Sequence, residues 1–549
     1  METATKVTTP RKSYKKPLLI IGVATVVVLG GLGTAYAKLD LFKSAKTIYL
    51  QSEAESMQKL SDDISQAYGK YEDYMLPYLE KPVHSTTELS DINLDAAIPD
   101  PQAQKVLDLL KDAKLVVTSS VEDQKRQQSG SLEVHLKDKK LATFEYFLND
   151  TIAGFRLPEF YSKYGYVDLK DREALQQKLG QELPKRFMTY RDLYNAVAIK
   201  QEEVKSVLTP YALLYANSLK DSQVTLKKDV PFAEEGFQAS AREVTVSFTE
   251  EESRALASQI AEKAKADQKL FDLLYTRYHN VAALLADSGY AVEELSKDEF
   301  KKNYDKGFDD MLADLKNDAS TSKEQLKMVM LIDNDHQILS RKLLFTGEQG
   351  NEEKVFWNSV AYQNGGDTYY RYSLFNPEEA PDSELAITYK AAEKSGKTTG
   401  AVGVAVKEAG KNALDFKTNF ETSREGKKEN GTYRFTLSFQ DEYEPQPVSL
   451  SGNVTLSETQ TDNGADSEGS VKIVFDNPAP DMPKGVSFKL KSKSEFGKPL
   501  EIPAISADNS VNVATVTDEQ IMGIQQEVSI SAQKFMVEHQ DLLQPFLMP

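Results

Sequence analysis

Apolar and polar residues alternate through the second half of this 549-residue chain. Between 414 and 421, polar side chains separate Leu414, Phe416 and Phe420. The period of two continues through four further segments, with apolar members Tyr433, Phe435, Leu437 and Phe439; Val448, Leu450, Val454 and Leu456; Val471, Ile473 and Phe475; and Val486, Phe488 and Leu490. Because successive side chains of a strand point to opposite faces, the pattern predicts an antiparallel meander with one buried face. We expect its polar connections at 423–431 and 457–469.

A sheet with one apolar face requires a cover. After Thr517 and Asp518, which suit the cap of a helix, apolar residues recur at intervals of three and four. This stripe consists of Ile521, Ile524, Val528, Ala532, Phe535, His539 and Leu542. The sequence therefore predicts that a C-terminal helix is the lid of the meander.

The first half of the chain mixes helical and strand patterns. Helical spacing is found at 41–80, 171–218 and 250–315, whereas alternation predicts strands at 114–122, 130–137 and 139–148 and a hairpin at 222–229 and 237–248. The predicted fold class is α+β. In this prediction a helix-rich first half with a small sheet precedes a long antiparallel β meander, which packs against helices including the C-terminal helix.

An uncharged apolar segment at 18–37 is long enough to cross a bilayer as a helix. The preceding residues include five basic side chains and one acid, which favours a cytoplasmic amino end. Because Ala35-Tyr36-Ala37 also has the form of a signal-peptide cleavage site, secretion after cleavage at Ala37 is the alternative. The predicted organisation is a cytoplasmic basic tail (1–17), a transmembrane signal anchor (18–37), a helix-rich extracytoplasmic α+β region (38–320) and the meander with its C-terminal helix (321–549).

The chain contains no cysteine, which excludes disulfides, thiolate metal sites and thiol catalysis. Large exported eukaryotic domains usually carry disulfides, so the composition favours a bacterium, and we expect a Gram-positive one. The formal net charge is −18, and such a surface repels nucleic acid. The predicted partners are the lipid bilayer, through residues 18–37, and an envelope protein or apolar ligand, with no nucleic acid.

The sequence contains no catalytic motif. The five histidines, His84, His135, His279, His336 and His539, are far apart and match no metal or hydrolase pattern. Ser395-Gly396-Lys397-Thr398 ends like a phosphate-binding loop, but Ala391 replaces the required glycine and alternating segments flank it, so we predict a hairpin turn. Asp333-Asn334-Asp335 lacks the glycine and the final glutamate of a calcium loop and is also predicted to be a turn. We therefore assign no catalytic, cofactor-binding or metal-binding residue and no cofactor.

A resemblance to a known family rests on three segments, "AKTIYLQSEAESMQKL", "LPKRF" and "LYANSLKDSQVTLKKD". It also rests on the basic amino end, the single span and the β-rich second half. The chain resembles an uncharacterised family of Bacillus-type membrane-anchored proteins, a domain of unknown function, over nearly its full length. The resemblance implies a location and a source, and it supplies no catalytic residues. The layout is also similar to bacterial lipoprotein-carrier folds, which is an analogy of fold alone.

These features predict a single-pass membrane protein with an extracytoplasmic ectodomain at the cell envelope. We expect that ectodomain to bind or scaffold, with an apolar ligand or a protein partner held in a cleft between the meander and its helical cover. The alternative is a cell-envelope hydrolase whose site is assembled from distant carboxylates or a histidine. The sequence does not decide whether the chain is an enzyme.

Overall fold

The computed structural model describes residues 43–96, 101–180, 182–317, 325–346, 353–377, 379–440, 447–476, 478 and 483–547. This part of the chain contains twenty strands: β1 (Val83–Asp95), β2 (Ala113–Glu122), β3 (Gln127–Leu136), β4 (Lys139–Leu148), β5 (Ile152–Leu157), β6 (Tyr161–Asp168), β7 (Val224–Glu234), β8 (Phe237–Thr249), β9 (Gln325–Ile332), β10 (Ile338–Thr346), β11 (Glu353–Asn364), β12 (Asp367–Phe375), β13 (Glu384–Lys394), β14 (Lys397–Glu408), β15 (Lys411–Glu425), β16 (Lys428–Phe439), β17 (Val448–Thr461), β18 (Gly464–Phe475), β19 (Gly485–Phe496) and β20 (Ser510–Asn512).

The same residues form ten α-helices: α1 (Ala45–Glu80), α2 (Pro101–Lys111), α3 (Arg172–Leu179), α4 (Tyr190–Val197), α5 (Gln201–Ser218), α6 (Glu250–Ala266), α7 (Gln268–Asp287), α8 (Lys297–Asn317), α9 (Asp518–Glu538) and α10 (Gln540–Leu547). The predicted helical and strand segments of the first half are confirmed to within a few residues. Pro210 lies inside α5 without ending it.

All twenty strands belong to one sheet with a linear order. Strands β7 to β19 follow one another along the sheet, β19 then pairs with β1, and β1 to β6 continue to the far edge at β20. The described pairings are antiparallel except for the one between β6 and β20. Strands from both halves of the sequence are thus joined in a single surface.

The predicted fold class, an α+β chain with an N-terminal transmembrane helix, a small sheet and a separate meander, is wrong. The small sheet of β1 to β6 is a direct continuation of the meander, because β1 forms backbone hydrogen bonds with β19. In the ranges given above, no helix is both long enough and apolar enough to cross a membrane. The predicted span at 18–37 and the tail at 1–17 lie outside the described residues. The predicted domain division remains a prediction.

The strands of the meander are longer than the alternation of apolar residues indicated. We expected a polar connection at 457–469, but β17 runs to Thr461 and β18 begins at Gly464, so only two residues connect them. Backbone pairing continues there because polar side chains can also bond across the strands, as Thr455 Oγ1 and Ser470 Oγ do at 2.8 Å. The turns predicted at Asp333-Asn334-Asp335 and at Ser395-Gly396 are confirmed.

The largest apolar core lies at one end of the sheet. There Val244 and Val246 of β8 and Met328 and Met330 of β9 are buried beneath side chains of α1, α5 and α6, among them Tyr215. The core therefore covers the strands at the β8 to β11 end.

The C-terminal helix begins as predicted, with Thr517 and Gln520 forming a capping box. It is not the lid of the meander. The short strand β20 pairs with β6, and this pairing carries α9 and α10 to the far end of the sheet. There Phe535 packs against Phe160, and Leu542 joins a small core with Leu109 of α2. Ile530 on α9 remains 60% exposed.

Glycines in the meander make room for aromatic rings of the neighbouring strand. A Cβ atom added at Gly452 would lie 2.3 Å from Cζ of Phe435, and one added at Gly400 would lie 2.5 Å from Cζ of Phe420. Both glycines are directly opposite these phenylalanines in the sheet. The rings can therefore lie over the neighbouring backbone.

We predict that Gly452→Ala lowers the free energy of unfolding by about 1–3 kcal/mol, because the new methyl group collides with the Phe435 ring. The matched control is Gly523→Ala, where a Cβ has no atom within 4 Å inside α9. We expect the control to be more stable than the parent by about 0.5–1 kcal/mol, since alanine favours a helix. Urea unfolding monitored by circular dichroism measures both, and equal effects of the two substitutions would contradict this explanation.

Candidate functional site: an open apolar face of the sheet

One face of the sheet carries rows of apolar side chains that cross the strands. Directly opposed residues of antiparallel strands point to the same face. One row crosses seven strands, β12 to β18, and consists of Tyr372, Ile387, Val404, Phe416, Leu437, Leu450 and Phe475. The neighbouring row crosses β11 to β17 and consists of Trp357, Leu374, Leu385, Val406, Leu414, Phe439 and Val448. With strands about 4.8 Å apart, each row is roughly 29 Å long.

The apolar rows continue past the end of the meander. A third row passes from β17 to β3 through Leu456, Gly469, Leu490, Leu89, Leu115 and Val134. At the other end, the second row runs into β10 and β9, where Leu343 lies opposite both Trp357 and Met328. The surface is therefore the uncovered continuation of the core. We call the part formed by the three rows the open apolar face.

Side chains on the open apolar face are far more exposed than those in the core. Ile387 is 45% exposed, Leu385 40% and Leu456 41%, whereas Val244 and Met330 are fully buried. Large apolar side chains are rarely left exposed in so continuous a group unless they interact with another molecule.

The opposite side of the same strands is polar. In β15 to β18 it presents Asp415, Lys417, Asn419, Glu421, Thr436, Ser438, Ser449, Ser451, Ser470 and Lys472. The sheet is thus amphipathic through its thickness, with hydrocarbon on one side and charged or hydroxyl groups on the other.

Helix α1 crosses the side of the sheet that carries the open apolar face. Near its start Glu53 pairs with Arg341 of β10, and near its end the Tyr78 ring lies 4.9 Å from that of Phe496 on β19. The 25 residues from Glu53 to Tyr78 correspond to about 38 Å of helix, close to the roughly 43 Å of nine strand spacings from β10 to β19. Because these attachments lie at its two ends, α1 bridges the face.

The attachment at the start of α1 is a buried polar cluster. The carboxylate of Glu53 accepts from the Arg341 guanidinium, the hydroxyls of Tyr49 and Tyr215 bond at 2.9 Å, and Ser52 bonds to the His336 ring at 3.1 Å. Burial raises the pKa of Glu53, and the positive charge of Arg341 opposes that rise. Burial also raises the pKa of Tyr49 and Tyr215, so both hydroxyls stay protonated. This cluster fixes α1 on the sheet, because it joins Glu53 and Tyr49 of the helix to Arg341 of β10 and Tyr215 of α5.

The five histidines of the sequence do not come together. His84 bonds to Ser120, His135 to Glu133, His279 to Glu294 and His336 to Ser52, while His539 packs on Phe535. Among the side chains placed by the structure, no three that could hold a metal ion form a group. The assignment of no catalytic residue and no cofactor remains a prediction.

Reasoning from the sequence missed the Glu53–Arg341 pair and the openness of the face. A signal for the pair existed, because Glu53 lies on the helical stripe that also contains Tyr49 and Met57, and an acid on such a stripe requires a buried partner. For the face, alternation identified the apolar side of each strand correctly. It could not show that the C-terminal helix packs elsewhere.

No family model matches this chain, and no curated protein matches it. The solved structures that match include a loop-deletion mutant of OmpT, an outer membrane protein of Vibrio cholerae, with 7% identity, 76% of this chain and 98% of that chain covered, and a TM-score of 0.20. OccK9 of Pseudomonas aeruginosa also matches, with 7% identity, 76% of this chain and 97% of that chain covered, and a TM-score of 0.21. OccAB4 of Acinetobacter baumannii matches with 7% identity, 76% of this chain and 98% of that chain covered, and a TM-score of 0.22. TM-scores this low carry no argument about fold or function.

The predicted function and location are wrong for the part of the chain that the structure describes. We expected an enclosed cleft between the meander and a helical lid, but α9 packs at β6 and the face remains open. The single-pass topology and the Gram-positive location depended on a transmembrane helix, and no helix in the described ranges is long and apolar enough to cross a membrane. We withdraw them, together with the binding or scaffolding ectodomain and its hydrolase alternative. The family resemblance remains a prediction.

We predict that Arg341→Met lowers the free energy of unfolding by about 3–5 kcal/mol at neutral pH, because it leaves the buried Glu53 carboxylate without its cation. The pKa of Glu53 is already raised by burial, so the folded state holds its proton to higher pH than the unfolded state does. The loss should therefore be smaller at pH 5 than at pH 8, because a lower pH favours the neutral, protonated form of Glu53.

The control for this measurement is Lys397→Met, which removes one partner of the exposed pair with Glu421. We expect a change below about 1 kcal/mol there. Urea unfolding at both pH values compares the two variants. A loss for Arg341→Met that does not depend on pH would contradict the assignment of an ionised, buried Glu53.

Proposed function

We propose that this protein transfers amphipathic lipids, whose hydrocarbon chains lie on the open apolar face while their polar groups stay in water. The observation that carries the proposal is the row from Tyr372 to Phe475, in which seven consecutive strands present half-exposed apolar side chains on one side of an amphipathic sheet. Hydrocarbon placed on this row removes apolar surface from water, which stabilises the bound state by roughly 25 cal/mol for each Å² that is buried.

The continuity of the rows supports transfer. No charged residue belongs to any of the three rows, and the first two rows are separated by one side-chain repeat, about 7 Å. A hydrocarbon chain moving across strands therefore exchanges one apolar contact for an equivalent one. Because successive positions are so similar, motion along the face requires no large barrier at any step.

The bridging helix favours a narrow ligand over a second sheet. Two packed sheets lie about 10 Å apart, and a helix with its side chains is about 10–12 Å wide. Since α1 is attached on this side at both β10 and β19, a second copy could not stack flat on the open apolar face without displacing it. Of the predicted partners we keep lipid, and we propose this face as its site of contact in place of residues 18–37.

Transfer between vesicles tests the proposal. Donor vesicles carry a fluorescent phosphatidylcholine with a quencher, acceptor vesicles are unlabelled phosphatidylcholine, and the full chain is added in catalytic amount. We expect the chain to accelerate the loss of quenching. Leu437→Asp should slow the protein-dependent rate by about tenfold, because a carboxylate in the row would be desolvated by each passing chain.

The matched control is Thr436→Asp, the same substitution at the adjacent position, whose side chain is exposed on the polar face. We expect transfer by this variant to equal that of the parent. The proposal fails if the parent chain does not accelerate transfer. It also fails if Leu437→Asp and Thr436→Asp have the same rate.

A further inference from the structure

Helix α4 is turned with its apolar face towards solvent. Tyr190, Leu193, Tyr194 and Val197 follow one another at helical intervals of three and four, so they share one face. They are 60%, 46%, 37% and 53% exposed. The next large apolar residues along the chain, Ile199 and Val204, are 51% and 39% exposed. A helix on the surface of a soluble domain ordinarily has the opposite orientation.

The polar side of α4 holds it in this orientation. Asp192 accepts hydrogen bonds from two nitrogens of Arg126, at 2.8 and 2.9 Å, and from Arg186 at 3.2 Å. These bonds, Arg126 above all, lower the pKa of Asp192 well below its usual range. A capping box between Thr189 and Asp192 fixes the first turn, and Ala196 is buried. The outward apolar face is therefore held in place by specific bonds.

The charge around this face is positive, although the whole chain has a net charge of −18. The segment 185–205 contains five basic residues, Lys185, Arg186, Arg191, Lys200 and Lys205, and three acids, Asp192, Glu202 and Glu203. Two of the three acids are engaged by cations of the protein: Asp192 by Arg126 and Arg186, and Glu203 by Arg277. The exposed apolar side chains are thus set among basic groups.

We infer that α4 docks the protein on a bilayer that contains anionic lipid. Tyrosine is enriched where a bilayer meets water, and a helix with an apolar face and basic flanks lies in that interface. The basic groups complement anionic headgroups, whereas leucine, valine and tyrosine enter the boundary of the acyl chains. This inference does not rest on the proposed transfer of lipid, since it concerns a different surface of the molecule.

The absence of cysteine from the chain allows a local test. In the full-length protein, Val197→Cys carries an environment-sensitive fluorophore, and vesicles of phosphatidylcholine with phosphatidylglycerol are added. We expect the emission to shift to shorter wavelength and to rise several-fold as the probe enters the interface. Vesicles of phosphatidylcholine alone, or high salt, should reduce the response, because the basic flanks then lose their attraction to the surface.

The control is the same fluorophore at Asn195→Cys, an exposed position on another side of α4. Its emission should change little, which separates insertion of the apolar face from attachment of the chain through any other segment. When Leu193→Asp is added to the protein labelled at position 197, the vesicle concentration needed for a half-maximal response should rise about tenfold. Adding Thr436→Asp instead, on the polar face of the sheet, should leave the response unchanged.

Three results would overturn the inference. One is an equal spectral change at positions 195 and 197. Another is a response at 197 that survives Leu193→Asp. The third is a blue shift that appears without vesicles as protein concentration rises, because it would assign the face to a second copy of the chain.

Discussion

The register of the sheet is the constraint on which the rest of the structure depends. Side chains of a strand alternate between faces, so a slip of one residue in any pairing would move that strand's apolar set to the other side. From β12 to β18 the residues of the first row stay in register, with Ile387 opposite Val404 and Phe416 opposite Leu437, and their apolar side chains remain on one face. Hairpin turns of two residues, as at Ser395-Gly396, hold this register.

This register produces both the core and the surface that we propose for lipid. At the β8 to β11 end, α1, α5 and α6 cover the apolar side, and the buried Glu53–Arg341 pair fastens α1 there. Further along, none of the described helices covers this side as closely, and its residues are half exposed. The difference between core and open face therefore comes from where the helices are attached, since the strand pattern is the same in both places.

Much of the secondary structure could be predicted from the sequence, because strand and helix periods are local properties. The meander strands, the hairpins, the N-cap at Thr517 and the long first helix were all recognisable. The fold class was not, because it depends on β1 pairing with β19 and β20 pairing with β6, contacts between residues some 400 and 350 positions apart. The outward face of α4 was also missed, since its spacing is that of any amphipathic helix and the bonds that determine which side faces inward, such as that of Arg126 to Asp192, join distant residues.

The central claim is that hydrocarbon lies on one defined face of this sheet. A fatty acid with a photoactivatable group at the end of its chain, cross-linked to the full protein and located by mass spectrometry of peptides, tests it most directly. The account predicts that labelled residues fall in the rows of β12 to β18, at positions such as Ile387, Phe416 and Leu450, and spare their neighbours Lys417 and Ser451 on the polar face. Labelling spread equally over both faces, or confined to the helices at the β8 end, would contradict it.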